Sequence, residues 1–161
     1  MKISKHLSLA EVIRSEAAKR KGISNMPTKQ HLDNFVSLAE NVFEKVREHF
    51  DVPIYISSGY RSAELNFVIG GAVNSQHSTG EAIDIDMDGS DSKVTNADIY
   101  NYIKDNLNYD QLIAEFPKNG NPSWVHVSYK SKGKQRKQAL VAKKVGGSTK
   151  YTPYKSSADL K

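Results

Sequence analysis

The sequence predicts an α+β domain, with helices first and a mainly antiparallel sheet after them. Three patterns support this. Leu32, Phe35, Val36, Ala39, Val42, Phe43, Val46 and Phe50 recur at helical spacing and form one long apolar stripe. Glu81 to Met87 alternates as a strand, with Ala82, Asp84 and Asp86 on one face and Ile83, Ile85 and Met87 on the other. Two more strand patterns, Gln111 to Phe116 and Trp124 to Tyr129, flank the turn-rich stretch Pro117 to Pro122.

The remaining elements follow from local signals. Ser8-Leu-Ala-Glu11 is a capping box, so a helix is expected to run to about Arg20 and to stop at Gly22. After the turn Asn25-Met-Pro27, Thr28 caps the helix that carries the apolar stripe. Ile54-Tyr-Ile56 reads as a short strand closed by Ser57-Ser-Gly59. Ala63 to Ile69 reads as a helix ended by Gly70-Gly71, and Thr95 caps another through Ile103. Gln138 to Ala142 is a candidate last strand. The expected organisation is one domain over residues 1–145, followed by a loosely ordered basic tail over 146–161.

A chain of 161 residues can bury a core of its own, and 38% hydrophobic with 25% charged residues is ordinary for a globular domain. No apolar run approaches the length of a membrane span. Met1-Lys-Ile-Ser-Lys-His-Leu lacks the apolar stretch of a secretory signal, so action outside the cytoplasm would require another route of release. There is no cysteine, which excludes disulfides and thiolate ligands and leaves any metal to His, Asp or Glu. The net charge of +5 is uneven. Lys130 to Lys161 holds ten basic residues against the single acid Asp159, a net of +9, which leaves −4 on Met1 to Tyr129. Such a segment suits a polyanion, or simply a solvated surface. Its only aromatics are Tyr151 and Tyr154 and it carries no nucleic-acid motif, so nucleic acid is not the expected partner.

Of the five histidines, His6, His31 and His49 are explained as surface residues. His77 and His126 have more telling neighbours. His77 stands before a turn at Gly80, and the chain then enters the strand bearing Asp84 between Ile83 and Ile85. A buried carboxylate there is costly unless paired or bound to a metal. His126 lies mid-strand in Trp124-Val-His-Val-Ser-Tyr129, where a packed core histidine would also fit. Together His77, Asp84 and His126 make a three-ligand set of nitrogen and oxygen donors. That set leaves a fourth tetrahedral position open for water, the arrangement of a catalytic zinc.

Ser75-x-His77-x-x-Gly80-x-Ala82-x-Asp84, followed by Trp124-x-His126, resembles the signature of the zinc D-alanyl-D-alanine carboxypeptidase family. That family includes peptidoglycan endopeptidases and shares a zinc-site fold with hedgehog signalling domains. Ser57-Ser-Gly-Tyr-Arg61-Ser62, Leu65-Asn66, Gly70-Gly71 and Gln111-Leu-Ile113 further resemble its short, phage-type members. The resemblance spans about Leu7 to past Tyr129.

It implies one Zn2+ per chain on His77, Asp84 and His126, with Arg61 facing the substrate carbonyl or carboxylate. It also implies a substrate contact at Ser75, where a plain turn role fits equally. The implied substrate is a peptidoglycan stem peptide, cut as a carboxypeptidase or as an L-Ala–D-Glu type endopeptidase, and the phage-type likeness implies a role in phage lysis. One position departs from the pattern. Many relatives carry the catalytic acid three residues before the last histidine, where this chain has Ser123. Glu115, at the end of the preceding strand, becomes the candidate general base, with Glu81, Asp86 and Asp110 as further acids nearby. The Ser123 departure also keeps open a non-catalytic, zinc-containing cell-wall-binding module. The basic segment is the candidate surface for anionic wall polymers.

Overall fold

The structure, a computed structural model, describes residues 1–161. Ser8 accepts from the Glu11 N–H while Glu11 reaches back to Ser8, and this box starts α1 (Leu9–Ile13). The expected continuous helix to Arg20 is instead broken, and α2 (Glu16–Lys21) restarts on a new cap at Ser15. The cause is competition for carbonyls. The Val12 oxygen accepts the Tyr60 N–H at 2.6 Å and the Ile13 oxygen accepts Asn25 Nδ2 at 2.9 Å, so neither is free to continue the helix. Only glycine fits beside this break, since a Cβ on Gly59 would lie 2.4 Å from the Val12 oxygen.

The apolar stripe forms α3 (Lys29–Leu38) and α4 (Glu44–Phe50), joined by a π-helical turn at Ala39–Phe43. Phe35, Leu38, Val42 and Phe43 lie on its buried face. The strands are β1 (Ile56–Ser58), β2 (Ala82–Ile85), β3 (Gln111–Glu115), β4 (Trp124–Ser128), β5 (Gln138–Val145) and β6 (Ser148–Pro153). Between β1 and β2 runs α5 (Ala63–Val68), and between β2 and β3 runs α6 (Asn96–Asn106). The sheet order is β1-β2-β4-β3-β5-β6, antiparallel throughout except for the parallel pair β3–β5. The α+β expectation and the mainly antiparallel sheet therefore hold.

Ile83, Ile85, Leu112, Ala114, Val125 and Val127 face the helices and complete the main core. Because strand side chains alternate, the opposite face is left to Ala82, Asp84, Glu115, Trp124 and His126. The segment expected to be a loose tail differs. Val141 to Val145 pair with Ser148 to Thr152 across the turn at Gly146-Gly147. After β6, Leu160 is buried in the main core at 3% exposure and Tyr154 packs on Tyr100. β6 reads as a tail because it is an edge strand whose side chains, Lys150 among them, are almost all exposed. No helix is long and apolar enough to cross a membrane.

Candidate functional site

Register builds the centre of the site. Antiparallel pairing of β2 and β4 sets Asp84 directly opposite His126, so the two side chains share a face. His77 arrives from a 3-10 turn, Gln76–Thr79, capped by Ser75, whose oxygen accepts the His77 N–H at 3.3 Å. Gly80 turns the chain into β2 with φ +76°, and a Cβ there would lie 2.3 Å from the His31 carbonyl oxygen.

The donor atoms converge. His77 Nδ1 lies 2.7 Å from the Gly59 carbonyl oxygen, which can only accept, so Nδ1 carries a proton and Nε2 is the nitrogen turned towards the cluster. That Nε2 is 3.3 Å from Asp84 Oδ1, and His126 Nδ1 is 3.0 Å from the same oxygen. One ligand atom from each residue falls within a 4.8 Å cluster, which can hold a metal ion. Two imidazoles and one carboxylate match zinc's ligand preferences and are one short of a closed tetrahedron. A carbonyl gripping the far nitrogen of a ligating histidine is the usual device for fixing its tautomer. Burial would raise the Asp84 pKa, but the His77 charge and hydrogen bonds from both histidines outweigh it and hold the carboxyl well below the usual range.

Arg61 stands beside the cluster. Its backbone N–H donates to the His77 oxygen at 3.2 Å, its Nε donates to Ser58 Oγ at 3.2 Å, and its Nη2 is 3.5 Å from Asp84 Oδ2. Glu115 closes the other side. Ile113 is the register partner of His126 and Glu115 that of Trp124, so Glu115 is a diagonal neighbour of His126 on the site face. Burial pushes the Glu115 carboxyl up to about 7, with His126 and Arg61 pulling it down and Asp84 pushing it up. All these groups, with Ser75, line one cleft of about 800 Å³.

The other acids near in sequence are committed elsewhere. Asp110 is fully buried and takes Arg136 in a forked ion pair. Glu81 accepts from the Ser131 N–H and hydroxyl. Asp86 accepts from Asn96 Nδ2 and the Asp88 N–H. Ser123 donates its hydroxyl to the Phe116 oxygen and ties down the β3–β4 loop. The remaining histidines pack: His6 pairs with Glu44, His31 sits by Tyr60, and His49 stacks on Tyr102.

Among the cleft residues to which the sequence reading gave no role are Gln76, Arg136 and Tyr151. The last two lie in the basic segment, where no local pattern separates them from solvated charge. Sheet register places Tyr151 opposite Ala142, itself opposite Glu115, which brings it to the rim of the site.

Three donors that could hold a metal ion, with a buried glutamate and an arginine in the same cleft, are an arrangement that suits a metal-dependent hydrolase. More specifically, residues 5–128 match the family model described as peptidase M15, and the chain belongs to that peptidase family. No curated protein matches the chain.

Proposed function

We propose that the chain is a zinc metallopeptidase that hydrolyses peptide bonds in peptidoglycan stem peptides. The observation that carries this is the convergence of His77, Asp84 and His126 in the same cleft as Glu115, with Glu115 raised to a pKa of about 7. A carboxyl with that affinity suits proton transfer near neutrality.

His77, Asp84 and His126 would hold zinc, which would supply Lewis acidity and make an attacking water a stronger acid. Glu115 as carboxylate takes a proton from the attacking water while the oxygen–carbon bond forms. As the carbon–nitrogen bond breaks, Glu115 returns that proton to the leaving amine. Arg61 offers guanidinium N–H groups to the negative charge that develops on the former carbonyl oxygen. Gly59 keeps His77 in one tautomer, and Ser75 holds the turn that presents it. Substrate contact by Ser75 fits its place in the cleft wall.

Resemblance to short phage-type relatives supports a lysis enzyme or a virion component that meets the wall after release. A zinc-containing wall-binding module without catalysis is the competing reading, favoured only by Ser123 at the usual acid position. One experiment separates them: mass spectrometry of muropeptides after incubation with purified cell walls, with and without a chelator. Chelator-sensitive cleavage supports the peptidase, and its mass increments identify the bond. Intact muropeptides from zinc-loaded protein would leave the binding module. The basic segment from Lys130 supports attraction to anionic wall polymers. Wall association should then weaken between 0.1 M and 1 M salt as the Debye length falls from about 10 Å to about 3 Å.

A further inference from the structure

Arg136 lies outside the family-matched residues 5–128, yet it lines the same cleft as the metal cluster. Its partner Asp110 has no solvent exposure, whereas the Arg136 side chain is 53% exposed. Asp110 grips one edge of the guanidinium: Nε donates to Oδ1 and Oδ2 at 3.1 and 3.2 Å, and Nη2 donates to Oδ2 at 2.8 Å. The Arg136 backbone N–H also donates to Asp110 Oδ1 at 2.9 Å, and Gln76 Nε2 donates to Oδ2 at 3.0 Å.

A guanidinium has five N–H groups arranged as a planar fork. This grip uses the Nε edge and one proton of Nη2. The outer edge, formed by both Nη1 protons and the second Nη2 proton, is left to face the cleft. Through one proton each of Nη1 and Nη2, that edge can bind a second carboxylate by two parallel hydrogen bonds. Orienting the fork with a buried carboxylate removes rotamer freedom before any ligand arrives.

Position narrows the ligand. Asp110 and Gln111 lie at the opposite end of β3 from Glu115. Gln111 is two residues along from Ile113, the partner of His126, a displacement of about 7 Å at the usual strand rise. A peptide whose scissile bond lies at the metal cluster would meet Arg136 about two or three residues away. Resting on the peptidase reading above, we propose that Arg136 is a substrate-binding residue that reads a carboxylate two or three residues from the scissile bond. Stem peptides carry free carboxylates along the chain as well as at the end, which suits such a reader.

The test uses zinc-loaded protein and synthetic stem peptides in which each carboxylate is replaced, one at a time, by a carboxamide. One position should raise KM about tenfold or more with kcat changed less than about twofold, as for a lost charged hydrogen bond. In Arg136→Lys, which keeps a cation beside Asp110 but lacks the fork, that preference should shrink to near unity. A purely structural Arg136 would instead lower the melting temperature and weaken all peptides alike. If wild-type protein shows no carboxylate preference, or if Arg136→Lys retains it in full, the proposal fails. Should no peptide be cleaved, the peptidase reading fails separately, and fluorescence anisotropy with the same labelled peptides still measures the preference.

Discussion

The two halves of the sheet share one face but are made differently. On the β2–β4 side, the candidate ligands are few, with His77 and Asp84 buried and His126 half-buried, and each is held by a named partner: Gly59 on His77, and Asp84 against His126 and Arg61. On the β5–β6 side, the cleft wall is Gln138, Leu140, Tyr151 and Pro153, set in a lysine-rich hairpin that is exposed along most of β6. The first half holds the donor atoms together through hydrogen bonds and strand register. The second provides shape and charge at a distance from the metal cluster. Chemistry needs the former kind of construction, since a hydrolytic centre tolerates little misplacement, whereas the hairpin can vary without touching the ligands.

If that division is real, the largest losses come from the β2–β4 side. His77→Ala, Asp84→Ala or His126→Ala should each abolish tight zinc binding and with it all measurable hydrolysis, because two protein ligands hold zinc poorly. Elemental analysis of each purified variant checks this. Retention of stoichiometric zinc by any of them would remove that residue from the ligand set. The next loss belongs to Glu115, on β3 between the halves. Glu115→Gln should keep zinc and fold but lose about 10²-fold or more in kcat, the usual scale of a general base. Near-normal turnover would end its role as base, and the structure leaves no other acid lining the cleft apart from the ligand Asp84.

The same division explains what could be read from the sequence. His77, Asp84 and His126 stood out because they fall in motifs that resemble a zinc peptidase family, whereas spacing alone left His126 readable as a packed core histidine. Glu115 was reachable because it ends a clear strand pattern just before the last ligand. The break at Arg14–Ser15 was not, since it depends on Tyr60 and Asn25 taking helix carbonyls from far along the chain. The Asp110–Arg136 pair spans 26 positions and follows from the parallel β3–β5 pairing, which leaves no periodic trace. β6 was invisible for the reason that it is an edge strand: its exposed side chains read as polar tail.

Smaller effects sharpen the hairpin side. Leu160→Ala should lower stability by roughly 2–4 kcal/mol, as for other buried leucines. Urea denaturation with an unchanged slope checks it. A loosely ordered tail would give no change, so this substitution decides directly between the two readings of residues 146–161.

The last prediction tests the electrostatics between the halves. In chelator-treated protein the Glu115 carboxyl is pushed up to about 7, while in the unfolded chain it has the ordinary value of about 4.3. Between these values the folded protein holds a proton that the unfolded chain has released. Stability from this group is therefore complete below about pH 4, declines as pH rises towards 7, and is flat above. The window between the two values spans about 2.7 pH units, and at about 1.4 kcal/mol per unit the expected decline is roughly 3–4 kcal/mol. Glu115→Gln cannot ionise and should lack this component, so wild type and variant should diverge from pH 5 to 8, the variant becoming relatively more stable. Urea melts of both metal-free proteins across that range measure the difference, in which the titration of unrelated groups cancels. Parallel curves would mean that Glu115 is well solvated, and its fitness as a base near neutrality would then have to come from zinc rather than from burial.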